Sequence, residues 1–242
     1  MSKELNLSEN PVYILCIETA NAVTSVAISK DGQCIALKEV QESNKAADTL
    51  HVLLNTLMTD SGISFSDLNA ISISAGPGSY TGLRIAAAAA KGYCYSLDIP
   101  LIPVSTLEAM VNGIQTRYNQ QDFDVYVPMI DARRMEVFTS FFNKNLQEVQ
   151  HFTSLIIDEN FKDLLEPEKK YLLFGNGAFK VVTTINIDTT IVFMDFIPSA
   201  QDLCLLAFSS FIKNNFTDIA YFEPNYAKAF YSTQNLKNNF LT

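Results

Sequence analysis

The apolar positions of this chain change period in a fixed order. Val12-Tyr-Ile-Leu-Cys-Ile-Glu18 is a short, nearly unbroken apolar run, and Ser25-Val-Ala-Ile-Ser-Lys-Asp-Gly32 follows it, closing on an Asp-Gly turn signal. The pattern predicts two paired strands, with Ile35 to Val40 as a third. From Asn44 to Ser61 the period lengthens: Ala47, Leu50, Leu54, Leu57 and Met58 share one helical face, Val52 falls on the opposite one, and Gly62 supplies the stop. Ala70 to Ala75 is extended again and runs into Ala75-Gly-Pro-Gly-Ser-Tyr-Thr-Gly-Leu-Arg84. Leu83 to Leu97 then reads as an alanine-rich helix and Ile99 to Val104 as a further extended segment, so the first half is β-β-β-α-β-α.

The second half echoes the first. Val125-Tyr-Val-Pro-Met-Ile-Asp131-Ala132 matches Val12 to Thr19 in its Val-Tyr opening, its apolar pattern and its closing acidic residue. Glu136 to Phe142 is a second strand, with Asn143 to Asn145 as its turn. Tyr171-Leu-Leu-Phe-Gly175-Asn-Gly177 repeats the run of a strand into Gly-x-Gly seen from Ile71 to Gly78, and Gln201 to Ile212 is a late helix. Two echoes in the same order favour an internal duplication. A duplicated unit of this layout predicts the α/β architecture of the actin-like, sugar-kinase-like (ribonuclease H-like) superfamily. Its two lobes, placed at residues 1–105 and 106–242, would face each other across a cleft.

Composition narrows the function classes. With 242 residues, 48% of them apolar, the chain can bury a proper core. The polar start from Met1 to Asn10 and the lack of any long apolar run predict neither export nor membrane insertion, hence a cytoplasmic protein. Cys16, Cys34, Cys94 and Cys204 are far apart and read as buried reduced thiols, and His51 and His151 have no second ligand at metal spacing. A net charge of −9 weighs against autonomous nucleic-acid binding, so any RNA contact is expected to pass through a partner.

Glu18 and Asp131 end equivalent strands and would face the cleft, where carboxylates can hold magnesium or activate a hydroxyl. That supports one alternative, an ATP-dependent phosphotransferase. The reading given more weight is that each carboxylate caps its turn, because neither Thr19-Ala-Asn-Ala nor Ala132-Arg-Arg-Met offers a glycine for close phosphate approach. Arg133 and Arg134 suit either an anion or plain solvation. The glycine turn, with Gly76, Gly78, Ser79, Thr81, Gly82 and Arg84, is not a Walker loop, since Leu83-Arg84 follows Gly82 where lysine and a hydroxyl residue are required. Nor is it a hydrolase elbow, since Pro77 and Thr81 flank Ser79 where glycines belong. It reads as a strand-to-helix junction with Ser79 or Thr81 as the cap. The run Ala86 to Ala90 leaves two options of equal weight for its helix, burial in its own lobe or a helix interface.

Ile14-Leu-Cys-Ile-Glu-Thr-Ala, Ser25-Val-Ala-Ile, Ala75 to Arg84, Pro103-Val-Ser-Thr-Leu and Ile130-Asp-Ala-Arg-Arg-Met-Glu-Val together resemble the bacterial TsaB family, also called YeaZ. The resemblance is strong to about Asn143 and weak beyond it, where Gly175-Asn-Gly177 and Glu223-Pro-Asn-Tyr226 fit but Ala227-Lys228 replaces the usual Leu-Arg. It implies a non-catalytic partner of TsaD in forming N6-threonylcarbamoyladenosine beside the tRNA anticodon. A TsaE-type ATPase and an adenylate-forming enzyme complete that pathway. The metal-binding His-x-x-x-His of TsaD falls here on Thr106 and Met110, so no metal or cofactor of its own is implied. ATP or ADP at the complex interface and a homodimer of the free chain stay open. The resemblance also implies helix-to-helix docking on TsaD or on a second copy, with Val52, Leu83, Ala86, Ala87, Ala90 and Tyr93 as contact candidates.

Overall fold

The computed structural model describes residues 10–41, 46–119, 122–151, 154–185 and 190–227. Strands β1 (Tyr13–Glu18), β2 (Val23–Lys30) and β3 (Gln33–Gln41) form an antiparallel meander. The β2–β3 turn is the Asp-Gly signal: Asp31 and Gly32 both take positive φ, and the Asp31 carboxylate accepts the Val12 N–H at 2.9 Å. Helix α1 (Ala46–Ser61) leads to β4 (Ala70–Ser74), and α2 (Tyr80–Leu97) to β5 (Leu101–Val104). Both late strands are parallel to β1, giving the order β3-β2-β1-β4-β5.

After α3 (Thr106–Arg117) the plan repeats with β6 (Val125–Asp131), β7 (Glu136–Phe142) and β8 (Glu148–His151). The short β9 (Leu155–Ile156) pairs with β7, and β10 (Tyr171–Phe174) and β11 (Ile191–Met194) complete a sheet of order β11-β10-β6-β7-β8. Read from its other edge this is the first sheet's order, with three antiparallel strands followed by two parallel ones. The duplication inferred from sequence is therefore a duplicated actin-like fold.

Strand alternation sends Leu15, Ile17, Val26, Ile28, Ile71 and Ile73 to one face, where Leu50, Leu54 and Leu57 of α1 and the alanines of α2 cover them. The opposite face carries Ile14, Cys16, Ala27, Ala70 and Val104. Its cover comes from the far end of the chain, Ala200, Leu203, Cys204 and Ala207, in a 3-10 turn (Ala200–Leu203) and α5 (Cys204–Ile212). The division at residues 105 and 106 is thus redrawn: strands of the second sheet end at Met194, and the following segment returns to the first lobe. Cys34 also departs from expectation, being exposed on β3 while the other three cysteines are buried. Helix α3 was not anticipated, although Leu107, Met110, Val111 and Ile114 keep helical spacing and are buried against the second sheet's Tyr126, Ile130 and Phe138. Helix α4 (Phe179–Thr184) is a further short element missed.

One buried ion pair fixes the crossing. Arg117, at the end of α3, approaches Asp202 with Nε at 2.8 Å and Nη2 at 3.0 Å, and lies 4.7 Å from the centroid of the Phe196 ring. The Asp202 carboxylate also accepts the Ser199 N–H, and its backbone carbonyl accepts from Asn112. The neighbouring Ala200 N–H donates to Ser25 on β2. Asp202→Ala strands a largely buried guanidinium, and at pH 8 the expected loss is about 3–5 kcal/mol of unfolding free energy in a urea titration.

Candidate functional site

The glycine turn holds the structure together from inside. Ser79 caps α2 by accepting the Gly82 N–H at 3.3 Å, which starts the helix at Tyr80, earlier than the alanine run suggested. The Ser79 N–H donates to the Ala20 carbonyl at 2.7 Å, and the Thr19 hydroxyl donates to the Gly82 carbonyl at 2.8 Å. A Cβ at Gly78 would collide with Ala20, and one at Gly82 with the Thr19 carbonyl. The N–H of Gly76 is taken by the Thr106 hydroxyl at 3.1 Å. These amides are thus spent within the chain, and the turn clasps the end of β1 where a phosphate cradle would need room. Arg84 and Thr81 remain exposed; Arg84 donates to the Tyr80 hydroxyl at 3.1 Å, and the Tyr80 ring meets Tyr226 of the returning chain at 4.6 Å.

The two carboxylates differ sharply. Glu18 is fully buried; one oxygen accepts the Ala20 N–H, and the Ser74 hydroxyl lies beside the carboxyl. Burial pushes its carboxyl up to about 7, against the pull of Ser74 and the Ala20 N–H. Asp202 likewise rises to about 7, first through burial and despite Arg117, with the charge of Glu18 adding to the rise. Asp131 is exposed. Burial works to raise its pKa, but Lys180 Nζ at 2.6 Å and the Arg133 N–H at 2.6 Å hold it below the usual carboxylate range. Each of the pair accepts an N–H two residues ahead, so both cap their turns. No hydrogen bond or ion pair among the described residues joins them. A cavity of about 370 Å³ beside Glu39, Arg117, Tyr118 and Asp195 is lined by neither.

The helical contact candidates divide. Leu83, Ala86, Ala87 and Ala90 are buried within their own lobe, which corrects their reading as partner contacts. Tyr93 is half-buried: its ring stacks on Phe65 at 5.1 Å and its hydroxyl lies 3.4 Å from His51 Nδ1. Val52 is 62% exposed on α1. The outward face of α2 is Arg84, Ala88, Gly92 and Tyr95, the last 82% exposed. Sequence reading missed this stripe because alanine on every side of α2 hides which side is buried; the spacing of these four residues was the available signal.

Gly82→Ala should destabilise the chain by about 3 kcal/mol or more, because the methyl meets backbone that cannot move away. Gly92→Ala, with nothing within 4 Å of the added methyl, should stabilise it by about 1 kcal/mol in the same denaturant assay. Glu18 binds a proton more tightly folded than unfolded, so unfolding free energy should fall as pH rises from about 4.5 through about 7. Glu18→Gln should remove up to about 3 kcal/mol of that fall. Melting curves at pH 5 and pH 8 check it: the variant should gain on the native chain at pH 8 and not at pH 5.

Comparison with known proteins follows the same outline. The family model described as "TsaD: tRNA N6-adenosine threonylcarbamoyltransferase" matches residues 40–233. The "tRNA threonylcarbamoyladenosine biosynthesis protein TsaB" of Bacillus subtilis (strain 168) is 33% identical over 174 residues, 68% of this chain and 71% of that protein. Its namesake in Escherichia coli (strain K12) is 27% identical over 228 residues, 89% and 94% of the two chains. The solved structure of YeaZ from Pseudomonas aeruginosa superposes with a TM-score of 0.73 at 21% identity, covering 88% of this chain and 98% of that one. Matches of this extent carry one conclusion: the chain belongs to the TsaB (YeaZ) family of tRNA threonylcarbamoyladenosine biosynthesis proteins.

Proposed function

We propose that this chain is a non-catalytic partner and activator of a TsaD-type subunit. The complex they form would transfer threonylcarbamoyl to the adenosine beside the tRNA anticodon in the cytoplasm, with a TsaE-type ATPase. The observation that carries this reading is the fate of the positions corresponding to the TsaD metal pair. Thr106 is fully buried and its hydroxyl oxygen accepts the Gly76 N–H, and Met110 is buried in the packing between α3 and the second sheet. A buried hydroxyl already bonded to backbone and a soft thioether cannot replace two imidazoles on a hard or borderline metal, while the scaffold around them persists. With the Gly76, Ser79 and Gly82 amides also used internally, the chain has no nucleotide or metal site of its own in this reading. ATP or ADP would belong to the interface with the partner.

The outer faces of α1 and α2 are the docking surface in this reading, for TsaD or, when the chain is alone, for a second copy. Val52 and Tyr95 would supply apolar area, and Ala88 with Gly92 a shallow notch that lets a partner helix come close. The phosphotransferase alternative is disfavoured by the same geometry: Glu18 is sealed and Asp131 is ion-paired.

In reconstitution, the chain alone should modify no tRNA, and adding TsaD, TsaE, ATP and the threonylcarbamoyl-adenylate donor should give modification. Full activity of those components without the chain would sink the proposal. Ala88→Arg should abolish co-purification with TsaD while changing unfolding free energy by about 0.5 kcal/mol or less, since Ala88 is exposed. Ala87→Arg, by contrast, should unfold the lobe. Clear micromolar binding of Mg-ATP by the isolated chain in calorimetry would revive the phosphotransferase.

A further inference from the structure

The connection between β6 and β7 is built from residues ill-suited to its backbone. Arg133 has φ of 69° and Arg134 φ of 50°, consecutive left-handed conformations that Asn and Gly adopt with least strain. The turn is nevertheless rigidly held. The Arg133 N–H donates to Asp131, the Met135 carbonyl accepts the Ile157 N–H at 2.7 Å, and Lys180 Nζ donates to the Glu136 carbonyl at 2.8 Å. Lys180 also pairs with Asp131, which lies within electrostatic reach of Arg133 as well. Both arginine side chains are exposed, and no hydrogen bond or ion pair within the described residues engages either guanidinium. Met135 beside them is 43% exposed, and Phe179, next to the Lys180 anchor, is 70% exposed.

Strain retained in a pinned, exposed turn points to a demand on the side chains. Two forked cations on a fixed base, with an apolar residue and an open aromatic ring at the same end of the lobe, match a phosphodiester backbone with a base or ribose beside it. We propose that the Arg133–Arg134 turn is a direct tRNA contact, gripping backbone phosphates while the chain sits in its complex. This rests on the proposed role in tRNA modification, and it replaces the expectation that RNA is reached only through a partner. The chain's net charge of −9 explains why such a contact would work only in a complex that supplies the remaining binding energy.

The test uses the complex with TsaD and an unmodified tRNA transcript, with affinity read by fluorescence anisotropy across a salt series. Arg133→Asn with Arg134→Gly suits the backbone better, so the variant chain should melt about 2–4 °C higher. Its complex should nonetheless bind tRNA about tenfold more weakly, with a slope of log affinity against log salt shallower by about 1.5, as expected for two lost phosphate contacts. Arg133→Lys with Arg134→Lys should keep most of the slope. Unchanged affinity and slope would overturn the proposal. Loss of association with the protein subunits at unchanged RNA affinity would overturn it too, making the turn a protein contact. A native complex that binds and modifies tRNA, with the variant matching it, defeats this inference alone; a native complex with no tRNA activity defeats the proposed function and this inference together.

Discussion

The fold depends on how closely the turn after β4 can approach the end of β1, and the turn after β10 the end of β6. In the first lobe Gly78 and Gly82 lie against Thr19 and Ala20. In the second, Gly175 and Gly177 lie against Met129 to Asp131, the Gly177 N–H donates to the Met129 carbonyl, and Asn176 between the glycines accepts the Asp131 N–H. Parallel strands β1 and β4 end side by side, so the chain leaving one must clear the turn leaving the other. Any side chain at those positions would force the strand ends apart and unseat whatever follows. Glycine in a strand-to-helix turn can also allow a phosphate to approach closely; here that nearness is taken by the chain's own backbone.

A second constraint follows on the far face of the first sheet. That face carries small and polar residues, Ser25, Ala27, Ser72 and Ser74, beside Ile14 and Val104, and it is covered by Ala200, Cys204 and Ala207. Small residues on both sides bring the returning 3-10 turn close enough for Ala200 to bond Ser25 and for Asp202 to reach Arg117. The cost is that Glu18 and Asp202 are both sealed in, and the charge of Glu18 makes Asp202 harder to ionise. Two carboxyls raised to about 7 therefore sit where the returning chain meets the first sheet. Packing needs created that rise, with no catalytic task required to explain it.

How much of this the sequence disclosed depended on whether a signal was local. The strands of the first lobe, α1 and the duplication were legible because each rests on a period of side chains or a turn residue, as at Asp31-Gly32. The caps at Glu18 and Asp131 were legible for the same reason: each bonds an N–H two residues away. What failed was anything set by distant partners. The return of α5 to the first sheet, the Arg117–Asp202 pair and the Lys180 anchor join residues dozens of positions apart, and no periodicity announces them. Helix α2 failed differently. Its alanines fit a helix on any side, so only the sheet beneath decides that Ala86, Ala87 and Ala90 face inward and Ala88 outward.

The two copies then diverge in what they do with the same turn. In the first lobe the glycine turn launches α2, 18 residues long, with an outward stripe that ends in Tyr95. In the second, Gly175-Asn-Gly177 launches α4, only 6 residues long, and its Lys180 folds back onto Asp131. A six-residue helix presents little more than one turn of surface, too little for a helix partner to lie along. The long, small-residue helical face is thus confined to one lobe, while the second lobe's corresponding end presents a short, charged, rigid turn. The two equivalent ends are thus chemically distinct: one carries a long helix with a small-residue outer face, the other two exposed arginines on a turn anchored by Lys180.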